Sequence, residues 1–231
     1  MLCVFREGDL TMEKLRKMVS VMFDEKRMLR STRGAWGQGN AAWVQKQMQA
    51  LLDKSGDPRI SYFWGPPDYE GPINFGNETD VYMDTLNQRG YGGGAYTVLR
   101  FHTFDAALPK MDDYKVQYIL AMFKRVVNVL QPVYAAIGHD EDGMKARKGK
   151  DILKLGWGGM VFSPDLVKQI GRQRILDSEQ LIIKEELPWG AIWTQAWHNP
   201  FVVSKEWMRL VEKELGLKDL HFPSMATKAK R

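Results

Sequence analysis

The stretch GHDEDGMKARKGKDILKLGWGG, at positions 138–159, gathers the residue types that most often bind metal ions or phosphates. His139 and the three acids that end at Asp142 offer one nitrogen and several oxygens, but consecutive residues point in different directions and the EF-hand spacing is absent. The lysines and arginines that follow could contact phosphates, yet no aromatic residues are interleaved with them. The pattern therefore favours a charged loop between two strands, and Trp157 begins the next buried element.

Other reactive side chains do not form a catalytic set in the sequence. Asp113, Tyr114 and Lys115 resemble the acid-x-Lys tripeptide of metal-dependent nucleases, but they lie in the first turn of an amphipathic helix, where the helix dipole favours acids. The glycines at 90–94 are not followed by G-K-[ST] and lead into a strand rather than a helix. The four histidines are scattered, and no G-x-S-x-G occurs. We therefore expect a protein that is not an enzyme and that holds no metal or cofactor.

Charge is distributed unevenly along a chain of 231 residues with a formal net charge of +5. The first predicted helix is basic and could contact phosphates, so a nucleic-acid-binding or nucleic-acid-processing protein is one functional hypothesis. A steep fall of nucleic-acid affinity with salt would support it. The basic residues concerned are Lys14, Arg16, Lys17, Lys26, Arg27, Arg30 and Arg33.

The stretch from Ile60 to Gln88 has the opposite character, because it contains five carboxylates and six aromatic residues but no Lys or Arg. Aromatic side chains supply the buried anchors of protein interfaces, and acids steer a basic partner toward them. A solvated acidic rim around core aromatics is the other interpretation of the same pattern. We predict that this stretch binds a protein partner. The predicted partner-binding residues are Asp68, Tyr69, Glu70, Phe75, Glu78, Asp80, Tyr82 and Asp84.

Hydrophobic periodicity and capping residues predict the helices. Apolar residues recur at helical spacing over 11–29, 38–53 and 112–130, with Thr11 at the first N-cap and Pro132 after the third helix. SPDLVKQIG at 163–171 has Ser at the N-cap, Pro at the first helical position and Gly after the last turn. A last helix is expected to end at Gly216.

Short apolar or β-prone segments between these helices predict the strands. They lie at 60–64, 95–104, 133–138, 157–162, 180–184 and 191–195, whereas 65–93 looks irregular, with one helical turn near 79–87. Trp189, Trp193 and Trp197 are interpreted as core or interface residues. Since long helices do not alternate with the strands, we expect an α+β fold with a mainly antiparallel sheet. It forms one domain over 1–231, with a loose tail at about 223–231.

The expected compartment is the cytoplasm, because Cys3 is the only cysteine and no disulfide can form within the chain. The apolar run at the start of the sequence is too short for a signal-peptide core. No stretch approaches the roughly 20 apolar residues of a membrane helix, so no membrane partner is expected.

Several segments in the later part of the chain follow a recognisable order. A long amphipathic helix leads into LQPVYAAIG, then come a charged loop, GWGGMVFSP, the step Asn199, Pro200, Phe201, and a helix containing VEKELGL. Over about residues 95–217 this order resembles the immunity protein 52 family, which neutralises cognate toxins in bacterial polymorphic-toxin and type VI secretion systems.

The resemblance implies a protein that binds one toxin, commonly one with a restriction-endonuclease-like nuclease domain, and it carries over no catalytic residues. The sequence departs from the family's pattern in three respects. The first 60 residues match poorly, the net charge is positive, and Gly158 and Gly159 stand where bulkier residues are expected.

Overall fold

The computed structural model of the protein describes residues 1–6, 8–22, 41–53, 59–63, 78–83, 96–103, 113–138 and 156–220. Within these residues the fold is α+β, as predicted, and the described strand pairs are antiparallel. The helices are α1 (Met12–Met22), α2 (Ala41–Asp53), α3 (Asp113–Leu130), α4 (Pro164–Ile170), α5 (Arg172–Leu176) and α6 (Lys205–Leu215). The strands are β1 (Leu2–Arg6), β2 (Arg59–Phe63), β3 (Glu78–Met83), β4 (Tyr96–Thr103), β5 (Tyr134–Ile137), β6 (Gly159–Phe162), β7 (Ile183–Glu186) and β8 (Ile192–Gln195).

The chain forms two compact units. The first comprises Met1–Asp9, Thr85–Val98 and Gln131–Arg231, and the second comprises Leu10–Asp84 and Leu99–Leu130. The expectation of a single domain over residues 1–231 stays a prediction.

The first unit contains an antiparallel array in the order β1, β5, β6, β8, β7. All four residues of β5, β6 and β8 are buried, which explains why β5 and β6 read as continuous apolar runs rather than alternating ones. Leu166 and Ile170 of α4 and Val211 and Leu215 of α6 belong to the same core. The predicted strands at 133–138, 157–162 and 191–195 are thus confirmed.

The second unit pairs β2 with β3 and β3 with β4, and it contains α1, α2 and α3. The predicted apolar stripe of α3 is buried, and the Phe123 ring meets Phe101 of β4 edge to face with ring centroids 5.8 Å apart. Helix α1 packs against α2 and α3, with Leu15 fully buried. Its capping prediction is confirmed, because the backbone N–H of Lys14 donates to the Thr11 hydroxyl at 3.3 Å.

Two strands differ from the sequence-based expectation. Residues 78–83 were expected to be irregular or to form a helical turn, but they form β3 between β2 and β4. Thr79, Val81 and Met83 alternate with polar or aromatic residues, and this period of two fits a strand rather than a helix. Strand β1 was not predicted, because apolar and polar residues do not alternate in its five residues LCVFR. It pairs with β5 and is almost entirely buried.

Smaller corrections concern residues 163–186. Ser163 occupies the N-cap position of α4, but its hydroxyl makes no capping hydrogen bond. A further short helix, α5, begins directly after Gly171, which was predicted only as a stop. Strand β7 begins at Ile183 rather than at Gln180, because the backbone N–H of Gln180 is directed to the Glu214 carboxylate at 3.4 Å.

Several predictions lie outside the described residues. They concern the helical residues 23–29, the glycines at 90–94, the charged loop at 139–150 and the tail at 223–231. In the part of the chain that is described, no helix is both long enough and apolar enough to cross a membrane.

Candidate functional site

The acidic partner-binding stretch predicted from the sequence is described only in part. Glu78, Asp80 and Tyr82 occupy alternate positions of β3. Asp68, Tyr69, Glu70, Phe75 and Asp84 lie outside the described residues. The assignment of these eight residues to a partner interface therefore stays a prediction, now with three of them on one strand.

The strand register changes the electrostatic description of this stretch. Asp80 lies opposite Ser61 of β2 and His102 of β4, whereas Tyr82 lies opposite Arg59 and Arg100. The sequence from Ile60 to Gln88 contains no basic residue, yet pairing with neighbouring strands places two arginines opposite Tyr82. Asp80 therefore has no arginine directly opposite it in the register, whereas Tyr82 has one on each neighbouring strand.

The first unit carries a second candidate surface, an apolar groove between the segment after β8 and the start of α6. Its volume is about 280 Å³, and the exposed fractions of Trp197 and Val202 are 49% and 45%. Trp193, four residues before Trp197, is fully buried, so the three tryptophans at this spacing have different environments. The groove is lined by Ala196, Trp197, Val202, Val203, Ser204 and Trp207.

Hydrogen bonds fix the backbone around the groove. The buried Gln195 accepts from the Trp193 indole N–H at 2.9 Å and donates to the carbonyl oxygen of Trp197 at 3.2 Å. The Asn199 side-chain oxygen accepts from the N–H of Phe201 at 3.0 Å. On the opposite wall, the Trp207 indole donates to the carbonyl oxygen of Gln180 at 2.9 Å. The groove is therefore largely preformed.

Close backbone contacts explain the glycines that depart from the resemblance. A β-carbon on Gly158 would overlap the carbonyl oxygen of Pro200, and one on Gly159 would meet the Ile137 side chain. A β-carbon on Gly156 would overlap the carbonyl oxygen of Met208 in α6. At Gly156 and Gly158 bulkier residues are excluded because the backbone there touches the backbone of Met208 and Pro200.

The acids of the VEKELGL segment also have structural partners. Glu212 accepts from the backbone N–H of Gly156 at 2.8 Å. Glu214 accepts from the Ser178 hydroxyl and from the backbone N–H of Glu179, the latter at 3.0 Å. Gly216 then ends the helix with a left-handed conformation (φ 65°). These carboxylates hold neighbouring turns to α6.

Reactive groups in the described residues do not assemble around either surface. Burial raises the pKa of the Cys3 thiol, so this cysteine stays protonated and is a poor nucleophile. Among the residues that the structure describes, no group of three or more His, Cys, Asp or Glu residues is placed to hold a metal ion. The absence of an enzyme activity, a metal and a cofactor remains a prediction.

The basic N-terminal helix is described as far as Met22. Within it Lys17 forms an ion pair with Glu13 at 2.7 Å, and hydrogen bonding from Lys17 lowers the pKa of the Glu13 carboxyl. Lys26, Arg27, Arg30 and Arg33 lie outside the described residues.

Sequence reasoning identified Trp197 as a core or interface residue but did not identify the groove. Val202, Val203 and Trp207 were not singled out as site residues, although the sequence contains a usable signal. From Leu187 to Ser204 there is no Asp, Glu, Lys or Arg. This uncharged segment is longer than a single short buried strand, which indicates that part of it lies at the surface as an apolar patch.

Comparison with known proteins returned no match: no protein-family model, no curated protein and no solved structure matches the chain.

Proposed function

We propose that the protein is a cytoplasmic immunity protein that binds a cognate bacterial toxin and neutralises it by protein–protein contact. The toxin is a nuclease effector of a type VI secretion system. The proposal rests first on the order of segments that resembles the immunity protein 52 family.

The structural observation that carries the proposal is the contact between the segments that make up that resemblance. Gly156, in the GWGGMVFSP segment, lies against Met208 and is bonded through its N–H to Glu212 of the VEKELGL segment. These residues are far apart in sequence, so their types are explained by one local packing arrangement rather than by chance composition. Their roles are structural, and the order of segments that resembles the family is therefore also the order in which these segments pack.

The acidic stretch would supply the contact with the toxin. A nuclease needs a positively charged cleft for its substrate, and a carboxylate-rich surface is complementary to that cleft. Glu78 and Asp80 occupy alternate positions of β3, and strands hold such positions more rigidly than loops do. Opposite charge accelerates encounter, and the aromatic residues of the stretch would supply the buried contacts that slow dissociation.

Co-expression tests the proposal in cells. A toxin encoded beside the gene for this protein should kill cells when expressed alone, and co-expression of the protein should restore growth. The variant Asp68→Lys, Glu70→Lys, Asp80→Lys should lose protection. Unimpaired protection by this variant would place the interface elsewhere, and no protection by the parent would contradict the function itself.

A matched control separates the position of the charges from their number. Asp177, Glu185 and Asp219 are exposed carboxylates of the first unit. Changing all three to Lys alters the net charge by the same amount as the test variant. The control variant should protect cells as well as the parent does, whereas equal loss in both variants would indicate a general effect of charge.

A further inference from the structure

The register of β2, β3 and β4 sorts their residues onto two chemically different faces. Directly opposite residues of neighbouring strands share a face, and successive residues of one strand alternate between the faces. Val81 of β3 lies opposite Ile60 of β2 and Phe101 of β4, and the Phe101 ring contacts Phe123 of α3. The face that carries this apolar row is therefore the one on which α3 packs.

The other face of β2, β3 and β4 carries polar residues. Antiparallel sheets commonly pack one face on the core while the other meets water, and this division of residue types fits that pattern. Spacing in the sequence does not bring these residues together, because they come from three separate segments of the chain. The residues in two neighbouring rows of this face are Ser61, Asp80 and His102, and Arg59, Tyr82 and Arg100.

The row of Arg59, Tyr82 and Arg100 places two arginines on either side of one phenol. Neighbouring strands lie about 4.7–4.9 Å apart, so the Cα atoms of the two arginines are roughly 10 Å apart. An extended arginine side chain covers more than half of that distance, so both guanidinium groups can reach one ligand above Tyr82. The row offers the hydrogen-bond donors of two cations and a hydroxyl, and it contains no carboxylate.

Charge distinguishes the anions that this row could bind. A phosphate monoester carries a charge of about −1.5 to −2 at pH 7 and presents three acceptor oxygens, which matches two guanidinium groups. A carboxylate carries one negative charge and matches one arginine. The neighbouring row places Asp80 on the same face, and its like charge disfavours a polyanionic chain that runs along β3. The row therefore fits a terminal phosphate better than a nucleic-acid backbone.

We propose that Arg59, Tyr82 and Arg100 bind a phosphate dianion, either inorganic phosphate or the phosphate of a small monoester such as a nucleotide. The two guanidinium groups bind the phosphate oxygens through paired hydrogen bonds, and the Tyr82 hydroxyl donates one more. The site does not depend on the toxin, so it can be tested whether or not the proposed function holds.

Isothermal titration calorimetry of the purified full chain at constant ionic strength tests the site. The probes are inorganic phosphate, adenosine monophosphate, acetate and an oligothymidylate without a terminal phosphate. Phosphate should bind saturably with a dissociation constant at or below about 1 mM, and acetate and the oligonucleotide should bind at least about tenfold more weakly. Tighter binding of adenosine monophosphate than of phosphate would identify a nucleotide site, whereas equal affinities would identify a site for phosphate alone. Both results support the proposal.

Glutamine variants separate the contribution of this row from that of overall charge. Arg59→Gln combined with Arg100→Gln should weaken phosphate binding at least about 30-fold, because both charge-assisted contacts are lost. Lys168→Gln combined with Lys218→Gln removes the same charge from exposed positions of the first unit and should change binding less than about twofold. Tyr82→Phe removes only the hydroxyl and should weaken binding by about tenfold.

Arg100→Lys distinguishes the geometry of the site from its charge. A lysine keeps the positive charge but not the paired hydrogen bonds, so this variant should bind phosphate more weakly than the parent and more tightly than Arg100→Gln. Thermal melting checks that each variant is folded, and Tyr82→Phe and Arg100→Lys decide the matter if the double variant is not. The proposal would be overturned by a parent that does not bind phosphate saturably, by equal affinity for acetate, by tighter binding of the oligonucleotide than of phosphate, or by folded variants of the row that bind like the parent.

Discussion

The two candidate surfaces differ in how their residues are held in place. Around the groove of the first unit, the Trp207 indole bonds to the distant carbonyl oxygen of Gln180, Gln195 and Asn199 bond to backbone atoms two residues away, and Gly158 allows two backbones to touch. On the acidic strand of the second unit, the described constraint is the ladder that β3 makes with β2 and β4. Hydrogen bonds between strands fix where the backbone lies and which side chains share a face of the sheet. Side-chain hydrogen bonds and glycine contacts also restrict which amino acid can occupy a position. Substitutions should therefore be tolerated more readily on β3 than at 156–159.

Gly158→Ala should have the largest effect on stability. The added β-carbon would overlap the carbonyl oxygen of Pro200, and a shift of Gly158 away from it would disturb the hydrogen bond that the Gly158 carbonyl oxygen accepts from the N–H of Ala196. We expect a loss of about 5 kcal/mol or more in the free energy of unfolding, measured by chemical denaturation.

Gly8→Ala is the matched control for this close contact. A β-carbon on Gly8 would meet nothing within 4 Å, so only its positive φ of 83° is unfavourable. The expected cost is about 1 kcal/mol. If the two substitutions lower the free energy of unfolding equally, the cost at Gly158 comes from its backbone conformation rather than from the contact with Pro200.

Phe123→Ala should destabilise the second unit by about 3–5 kcal/mol, the usual cost of truncating a buried aromatic residue. Phe123 is 1% exposed, and its edge contact with Phe101 joins α3 to β4. Gln117→Ala, an exposed change on the same helix, should lie within about 0.5 kcal/mol of the parent. A loss below about 1 kcal/mol for Phe123→Ala in urea denaturation would contradict the packing described for α3.

Glu214→Ala should destabilise the first unit by about 2 kcal/mol, because the Ser178 hydroxyl and the N–H groups of Glu179 and Gln180 lose their acceptor. Glu206→Ala removes an exposed acid from the first turn of the same helix and should cost at most about 1 kcal/mol. If the two variants unfold at the same denaturant concentration, Glu214 does not hold the turn at 178–180.

The smallest expected effect concerns the ion pair between Glu13 and Lys17 on α1. Because Lys17 lowers the pKa of Glu13 below its ordinary value of 4.5, the pair stabilises the fold above that value. This contribution is lost as the pH falls through the lowered pKa. In Glu13→Gln the corresponding pH dependence should vanish, and added salt should reduce the difference between variant and parent. If the substitution leaves the pH dependence of stability unchanged, that dependence arises from other carboxylates.

The helices and strands predicted from the sequence are those in which the apolar pattern and the capping or terminating residues indicate the same boundaries as the packing. Helix α3 has a broad apolar stripe and a proline after it, and α6 has a serine cap and a terminal glycine, so pattern and chemistry indicate the same boundaries. Strand β3 was missed because the prolines and glycines of the surrounding sequence obscured a period of two that spans only six residues.

The uncharged segment from Leu187 to Ser204 indicates an apolar region, but the position of the groove within it could not be predicted because exposure depends on tertiary packing. Trp193 and Trp197 are four residues apart in the same neutral segment, but one is fully buried and the other is half exposed. The difference arises where β8 ends at Gln195 and the chain turns at Asn199, held by hydrogen bonds to backbone atoms. Such bonds leave no periodic trace in the sequence. The acidic stretch, by contrast, was identified from composition alone, which does not reveal the arginines on neighbouring strands.

The association rate of the purified protein with its toxin, measured at several salt concentrations, tests the central claim most directly. We predict a stable complex whose association slows as salt rises, because carboxylates of the acidic stretch would steer a basic cleft toward the protein. The variant Asp68→Lys, Glu70→Lys, Asp80→Lys should associate at least about tenfold more slowly at low salt, while the Asp177, Glu185 and Asp219 control keeps the parent's rate. Absence of a complex, or equal rates for parent and test variant at every salt concentration, would contradict it.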